Sequence, residues 1–309
     1  MNILSIILPL VLVASLGFTC AKSQWLSRAQ IDALSKFTFY LSIPAFLFYQ
    51  MANADLSGQV TPQFFAAFYL PVLCCFGLAM LANYLFNKER ASPDDMGSSA
   101  VFALGASYSN TVIVGLPILL VAVGEQAIGI TFLIITFHSM LLFGLTTAIA
   151  AKGTNKFSYV SFIKQNLKNP LVLSITLGLV VNLLGIELPI MIQETLTMLG
   201  KPAITIALFI LGASLSYYRL AKRINFTLLA CFHKLLLLPF LVFISAEYLF
   251  NLPATTVAVL VVLSASPTGV NAYLIAQAQQ QNQQVVAGTV VLTTLLCTLT
   301  IPLWLILVL

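Results

Sequence analysis

The stretch SYSNTVIVGLP at residues 107–117 and the stretch SASPTGVN at residues 264–271 interrupt two long apolar segments of the chain. Each combines proline, glycine and asparagine with hydroxyl side chains. A helix break at membrane depth frees backbone N–H and C=O groups that lipid cannot satisfy. Such a break therefore persists only where protein or a watery cavity takes over those hydrogen bonds. Two breaks at corresponding places in two halves of a chain predict the binding site of a carrier.

The composition indicates an integral membrane protein. The 309 residues are 60% hydrophobic and 7% charged, which is too little polar surface to cover a soluble globule of this size. The apolar run from Asn2 to Ala21 has its first positive charge, Lys22, after it. We therefore expect a mature span rather than a cleaved leader. All five cysteines lie in apolar segments without metal-type spacing, so we expect small buried hydrophobic side chains and no metal or other cofactor.

Apolar segments of roughly 20 residues, the length that crosses a bilayer, recur about ten times. These spans one to ten lie near residues 3–21, 37–53, 62–86, 97–121, 127–151, 169–186, 195–218, 226–249, 254–276 and 285–308. Thirteen of the fourteen lysines and arginines fall on alternate connections, with Lys234 counted just inside span eight and His233 expected at the same interface. Lys201 is the exception. By the positive-inside rule the thirteen-cation side is cytoplasmic, so both termini are predicted outside an inner (plasma) membrane.

The two halves of the chain, residues 1–155 and 156–309, resemble each other. They align when Pro44-Ala45 is placed on Pro202-Ala203 and Ser109-Asn110 is placed on Pro267-Thr268. Each half then contains five spans, and because five is odd, the second half enters the membrane from the opposite side. The sequence therefore predicts an all-α fold of about ten transmembrane helices, arranged as a 5+5 inverted repeat with broken helices four and nine.

These residues give nearly the whole chain a resemblance to the auxin efflux carrier family, relatives of the plant PIN transporters. The motifs that carry the resemblance lie in spans two, four, seven and nine, and together they are more specific than any one alone. They are Leu41-Ser42-Ile43-Pro44-Ala45, Ser109-Asn110-Thr111 with Gly115-Leu116-Pro117, Leu211-Gly212-Ala213-Ser214-Leu215, and Ser266-Pro267-Thr268-Gly269.

The resemblance implies a scaffold of spans one, two, six and seven, and a mobile transport domain of spans three to five and eight to ten. Within that domain, spans four and nine would cross near the midplane and bind an organic anion. Transport would then proceed by elevator-type alternating access. Bacterial members are connected with dicarboxylates such as malonate or malate. The resemblance is also compatible with a homodimer formed through the scaffold. One departure is that plant carriers have proline immediately before the asparagine of span four, where this chain has Ser109, so a milder first break is expected.

The two breaks supply the candidate substrate-binding residues. The N-termini of half-helices attract carboxylates through unpaired N–H groups and the helix dipole, so an anion site needs no arginine. An alternative role for the polar side chains is to cap the freed backbone groups, and small residues such as Gly212 can simply permit close helix contact. The candidates are Ser109, Asn110, Thr111, Ser266, Pro267, Thr268, Gly269 and Asn271.

Three ionisable residues are further candidates. Lys201, next to Pro202, is expected to attract the anion, to pair with Glu194 or Glu247, or to extend its ammonium to the outer interface. His138 in the middle of span five is a candidate for proton coupling, with a neutral hydrogen-bonded core group as the alternative. Glu247 near the outer end of span eight is the second coupling candidate, unless it is a solvated interfacial carboxylate.

Other functions stay open at this stage. A sodium-coupled carrier of the bile-acid type shares the ten-span inverted repeat, although the acidic ligand set for sodium is missing here. A non-transporting sensor or a channel also fits the composition. An intramembrane enzyme would need converging catalytic groups, and ATP drive would need a phosphate-binding glycine loop, neither of which is seen. The dispersed cations do not suggest nucleic acid, so the expected partners are a small organic anion and the bilayer.

The topology gives a first testable prediction. A protease-sensitive tag at either terminus should be cleaved on intact spheroplasts, because the cation asymmetry across short connections places both ends outside. A tag that resists cleavage until the membrane is opened would contradict this orientation. A tag inserted in the connection at residues 87–95 is the matched control, since it should show the opposite behaviour.

Overall fold

A computed structural model describes residues 3–54, 61–86, 95–124, 128–151, 170–217 and 223–309. Regular structure in these ranges is helical apart from one isolated bridge. Six segments are long and apolar enough to cross a membrane, and shorter apolar helices lie between them. The expected all-helical membrane protein is confirmed, while the inverted repeat stays a prediction.

The described helices follow the order expected from the spans, with two differences in their bounds. Span two begins earlier than predicted, at Arg28, where Ser27 and Gln30 form a reciprocal N-terminal cap. Span seven is bent, because a turn at Lys201-Pro202 separates two helices. The helices are α1 (Ile3–Lys22), α2 (Arg28–Ala52), α3 (Pro62–Phe86), α4 (Asp95–Ser107), α5 (Thr111–Ala122), α6 (Ile128–Ala151), α7 (Pro170–Leu183), α8 (Ile190–Gly200), α9 (Ala203–Leu215), α10 (Ile224–Leu249), α11 (Ala254–Ala265), α12 (Val270–Ala278) and α13 (Gln283–Val308).

Widened π-type turns precede three prolines inside α2, α5 and α10. The turns are Thr38–Ser42, Thr111–Gly115 and His233–Leu237, and each ends two residues before Pro44, Pro117 or Pro239. Proline has no N–H to donate and its ring crowds the preceding turn. A turn with one extra residue lets each helix continue past its proline, and such turns are frequent at functional sites.

The chain divides into two compact units, and each unit draws on both halves of the sequence. The first unit contains α1, α2, α7, α8 and α9, together with the later part of α5 and the first part of α6. Within it α1 packs along α9, and α2 packs against α7. The contact between α1 and α9 is close because a Cβ atom added to Gly17 would collide with the backbone of Phe209, and one added to Gly212 with that of Ala14. The expectation that Gly212 permits close helix contact is confirmed.

The second unit contains α3, α4 and α10 to α13, together with residues 111–115 and the later part of α6. Its centre is α11, in which every residue from Val257 to Ala265 is buried. This helix packs against α10 and α13. A helix that is apolar on all sides is stable only when it is surrounded. Both sequence breaks lie in this unit, at the ends of α4 and α11.

The glycine contact in the first unit gives a second prediction. Gly212→Ala should destabilise the folded protein by about 1–3 kcal/mol, the usual cost of overpacking, because the Ala14 Cα would lie 2.8 Å from the new Cβ. The measurement is the thermal unfolding midpoint in detergent. Gly77→Ala in α3 is the matched control, since its Cβ would meet nothing within 4 Å. Equal midpoints for the two variants would contradict the close contact.

Candidate functional site

The two breaks lie against each other and are joined by an antiparallel bridge between Ser109 and Thr268. The Asn110 N–H donates to the Pro267 carbonyl at 2.8 Å, and the Gly269 N–H donates to the Tyr108 carbonyl at 3.1 Å. Each break therefore satisfies backbone groups that the other break removes from its helix. The bridge requires a glycine, because a Cβ atom at Gly269 would collide with the Tyr108 ring.

The first break interrupts the helix fully even though it has serine in place of proline. The Ser109 N–H would bond to the Gly105 carbonyl in a continuous helix, but it donates to Nε2 of His138 at 3.0 Å. A backbone N–H can only donate, so Nε2 must carry the lone pair. The imidazole is therefore neutral with its proton on Nδ1, and Nδ1 has no partner in the described part of the chain.

His138 is held in place by aromatic neighbours as well as by this hydrogen bond. Its ring stacks on Tyr108 with centroids 5.2 Å apart and meets Phe68 edge-on at 5.7 Å. The Tyr108 hydroxyl and the Ser139 hydroxyl are 2.9 Å apart. These contacts give His138 a positioning role at the first break. A proton on Nε2 would force it away from Ser109, so the suggested proton coupling would also move the break; that coupling stays a prediction.

The second break uses its hydroxyl side chains to satisfy backbone groups. The Thr268 N–H donates to the hydroxyl of Thr293 in α13 at 3.0 Å, and the Thr268 hydroxyl donates to the Gly105 carbonyl at 2.8 Å. The Ser266 hydroxyl donates to the Val262 carbonyl at 2.9 Å. Among the described residues Thr268 and Ser266 therefore cap backbone groups. Capping is the role predicted from the sequence as the alternative to substrate binding.

Several donors beside the bridge have no partner. Asn110 accepts from the Ile113 N–H at 3.3 Å through Oδ1, but its Nδ2 group is buried and unpaired among the described residues. The Asn271 side chain is partly exposed and is hydrogen-bonded to the Tyr108 hydroxyl, so its amide is not among these unpaired donors. No hydrogen bond within the described ranges engages the backbone N–H groups at the starts of α5 and α12. They are those of Thr111, Val112, Val270 and Asn271.

The structure changes the positions expected for Lys234 and His233. Both side chains are buried and lie well inside α10 rather than at its cytoplasmic end. The His233 Nδ1 atom is 2.8 Å from the Leu229 carbonyl oxygen, and the Lys234 ammonium donates to the Ser264 carbonyl. The prediction that His233 lies at the membrane interface is wrong. Helix α10 begins at Ile224, well before the uninterrupted apolar run that follows Lys234. The signal that could have found Lys234 is a lysine inside a leucine-rich span, which is by default a functional candidate.

The remaining ionisable candidates lie apart from the bridge in sequence and environment. Lys201 is exposed at the turn between α8 and α9 of the first unit, and its side chain makes no hydrogen bond to another described residue. Glu247 is partly buried in a widened turn, Ser245–Leu249, of the second unit. The functional roles of Lys201 and Glu247 stay predictions.

A cavity of about 310 Å³ in the first unit is a weaker candidate for an anion site. Asn182, which lines it, donates through its amide to the carbonyls of Met51, Ala52 and Ala54, and so caps the end of α2. The lining also includes the carboxylate of Glu187. A fixed negative charge disfavours an anionic ligand, so we assign Asn182 a structural role.

Comparison with known proteins identifies relatives along the full length of the chain. The family described as "Membrane transport protein" matches residues 2–305. The "Putative malonate transporter" of Rhizobium meliloti is 24% identical over 97% of this chain and 94% of its own length. An uncharacterized transporter of Methanocaldococcus jannaschii is 24% identical over 98% of this chain and 97% of its own length. An uncharacterized transporter of Escherichia coli K12 is 22% identical over 96% of this chain and 95% of its own length.

The bond between Ser109 and His138 gives a third prediction, tested by a double-mutant cycle. His138→Leu should destabilise the protein by about 1–3 kcal/mol, because it leaves the Ser109 N–H buried without an acceptor. The same change should cost much less in a Ser109→Pro background, since proline has no N–H. Tyr108 is outside the helix, so a following proline is tolerated.

The cycle separates the hydrogen bond from the packing of the imidazole. Loss of ring contacts with Tyr108 and Phe68 occurs in both backgrounds and cancels in the coupling free energy. The measurement is thermal unfolding of the four proteins in the same detergent. Equal costs of His138→Leu in the two backgrounds would show that His138 does not hold the first break through Ser109.

Proposed function

Because the chain belongs to the membrane transport protein family, we propose that it is a secondary transporter that binds small organic anions where α5 and α12 begin. The family match confirms the resemblance to the auxin efflux carriers. The relatives are transporters rather than enzymes, and the apolar helices make this chain a multi-pass membrane protein. The substrate, the binding residues and the mechanism are the proposed part.

The observation that carries the proposal is the set of unpaired donors beside the bridge. Two helices begin there, and neither has a partner for its first two N–H groups among the described residues. The N-terminus of a helix concentrates a partial positive charge and presents N–H groups to an anion. The bridge residues themselves are buried, whereas Val112, Val270 and Asn271 are partly exposed. A carboxylate could therefore meet these donors without opening the bridge.

Asn110 and Asn271 are the side chains that we assign to the substrate. The unpaired Nδ2 group of Asn110 supports this role, because a buried amide without a partner is costly unless a ligand or water completes it. Asn271 is in the first turn of α12 and adds a second amide. We assign Ser266 and Thr268 to holding the break, because their hydroxyls are already used.

The proposed substrates are short carboxylates, with dicarboxylates favoured. Two helix starts provide two donor sets, and these suit a molecule with two carboxylates better than a single charge. The name of the Rhizobium meliloti relative refers to malonate, and malonate has this form. We therefore take malonate as the probe, and mono- and other dicarboxylates as competitors.

Elevator-type alternating access is the mechanism we propose for transport. The first unit contains the described helices of spans one, two, six and seven, and the second contains those of spans three, eight, nine and ten. Spans four and five are divided between the units, because residues 116–136 belong to the first unit. This division supports a scaffold and a transport domain of the kind the family resemblance implies. An inner-membrane location with both termini outside, a scaffold homodimer, and an auxiliary role of Lys201 in attracting the anion belong to the same proposal.

The fourth prediction concerns the two asparagines and the proline of the second break. Asn110→Leu and Asn271→Leu should each lower malonate binding by about tenfold, the loss expected when a hydrogen bond to a charged ligand is removed. Pro267→Ala should act differently. It lets α11 continue and draws backbone N–H groups into the helix, so transport should slow through lost site geometry.

The assay is malonate binding to purified protein, followed by counterflow of labelled malonate into proteoliposomes. Asn225→Leu is the matched control, because Asn225 is an exposed asparagine at the start of α10. All variants are compared at matched thermal stability. Wild-type binding in all three break variants would place the substrate elsewhere and leave the breaks as structural features. Absence of counterflow with every carboxylate tested would contradict the proposed substrate class.

A further inference from the structure

The second break leaves the carbonyl of Ser264 without its helical partner. In a continuous helix this carbonyl would accept from the N–H of Thr268, four residues later. That N–H instead donates to the Thr293 hydroxyl. The Lys234 ammonium, which comes from α10, donates to the Ser264 carbonyl in its place. A lysine thus occupies the negative, C-terminal end of α11.

The first break solves the same problem without a charge. The Gly105 carbonyl loses its helical partner because the Ser109 N–H donates to His138. The hydroxyl of Thr268 then donates to it at 2.8 Å. A neutral hydroxyl is therefore sufficient to satisfy a freed carbonyl in this fold. Hydrogen bonding alone does not account for a positive charge at the second break.

The charge of Lys234 is also unusual in its surroundings. Its side chain is fully buried, and it is the only lysine or arginine that is buried in the described ranges. Its titratable neighbours there are the thiols of Cys75 and Cys297 and the imidazole of His138, and no described carboxylate bonds to it. An intramembrane lysine costs on the order of 3 kcal/mol to insert. A residue kept at that cost, with a carbonyl, thiols and a neutral imidazole around it, needs a function that uses its charge.

The position of Lys234 suggests that function. In carriers with broken helices, carbonyls at the C-terminal ends of half-helices are where coupling cations bind, while the N-terminal ends face anionic groups. We propose that Lys234 is a tethered cation that occupies the coupling-ion position at the second break. Its charge favours anion binding at the helix starts, and transport needs no sodium. The claim that the Lys234 charge favours anion binding rests on the proposed function. The claim that the protein binds no sodium does not.

The sodium part is tested without any substrate. Purified wild-type protein should show no saturable binding of ²²Na⁺, because the ammonium of Lys234 already occupies the freed carbonyl. Thermal unfolding midpoints in sodium chloride and choline chloride should coincide. Saturable ²²Na⁺ binding by the wild-type protein that stabilises it relative to choline would overturn the proposal. This result does not depend on whether malonate is a substrate.

The charge part is tested with Lys234→Met, compared with Lys22→Met. Methionine fills similar space and removes the buried charge, but it also leaves the Ser264 carbonyl without a donor, so the variants are compared at matched thermal stability. Lys22 is exposed at the end of α1 and controls for the general loss of one cation. Lys234→Met should weaken malonate binding by about tenfold or more, corresponding to about 1.4 kcal/mol. Lys22→Met should bind as the wild type does.

The outcomes separate the two proposals. Wild-type malonate affinity in a folded Lys234→Met variant, or counterflow by the wild type that requires sodium, would overturn the tethered-cation role. If Lys234→Met does not fold, the sodium measurements on the wild-type protein still decide. A wild type that transports no carboxylate would contradict the proposed function alone, since the ²²Na⁺ result stands independently.

Discussion

Two reciprocal backbone hydrogen bonds, from Asn110 to Pro267 and from Gly269 to Tyr108, are the interaction on which the rest of the second unit depends. Lipid cannot satisfy a freed N–H or C=O group, so a broken helix is stable only if protein supplies each partner. In this protein each break supplies a hydrogen-bond partner for a freed backbone group of the other break. Ser109 and Thr268, the bridged residues, are then free to direct their own N–H groups to α6 and α13.

The bridge between the two breaks also brings helix ends of opposite partial charge together. Two helices start at the bridge and two end there, so donors with partial positive charge and carbonyls with partial negative charge lie within the same small region. The donors are left unpaired among the described residues, while the freed Ser264 carbonyl receives the Lys234 ammonium. An arrangement with its negative end already neutralised and its positive ends available favours an anion as the ligand. Under the proposed function, this is how a site without arginine would select carboxylates.

The sequence predicted the parts of this fold that follow from composition and from local chemistry. Apolar length located most spans, and the residues at 107–117 and 264–271 located both breaks, because proline, glycine and asparagine have strong local effects. The start of span two at Arg28 was missed because charged residues there conceal a helix that a terminal cap begins. Which hydroxyl would cap and which amide would stay free depends on long-range partners. The Thr268 contact with Gly105 is one such case.

The buried position of Lys234 illustrates the same limit. Counting cations for topology treats every lysine as if it were at a surface, and Lys234 is not. Without it, twelve of the fourteen lysines and arginines, rather than thirteen, stay on the predicted cytoplasmic face, so the orientation argument still stands. His138 was singled out from the sequence for its depth in span five, but only the contact with Ser109 shows that it holds a backbone group.

The most direct test of the account is an experimental structure of the protein with malonate bound, at a resolution that defines carboxylate oxygens. The account predicts those oxygens within hydrogen-bonding distance of the backbone N–H groups that begin α5 or α12, with the Asn110 amide turned toward them. Malonate in the cavity lined by Asn182 and Glu187, with the helix starts bonded to protein or unoccupied, would contradict it.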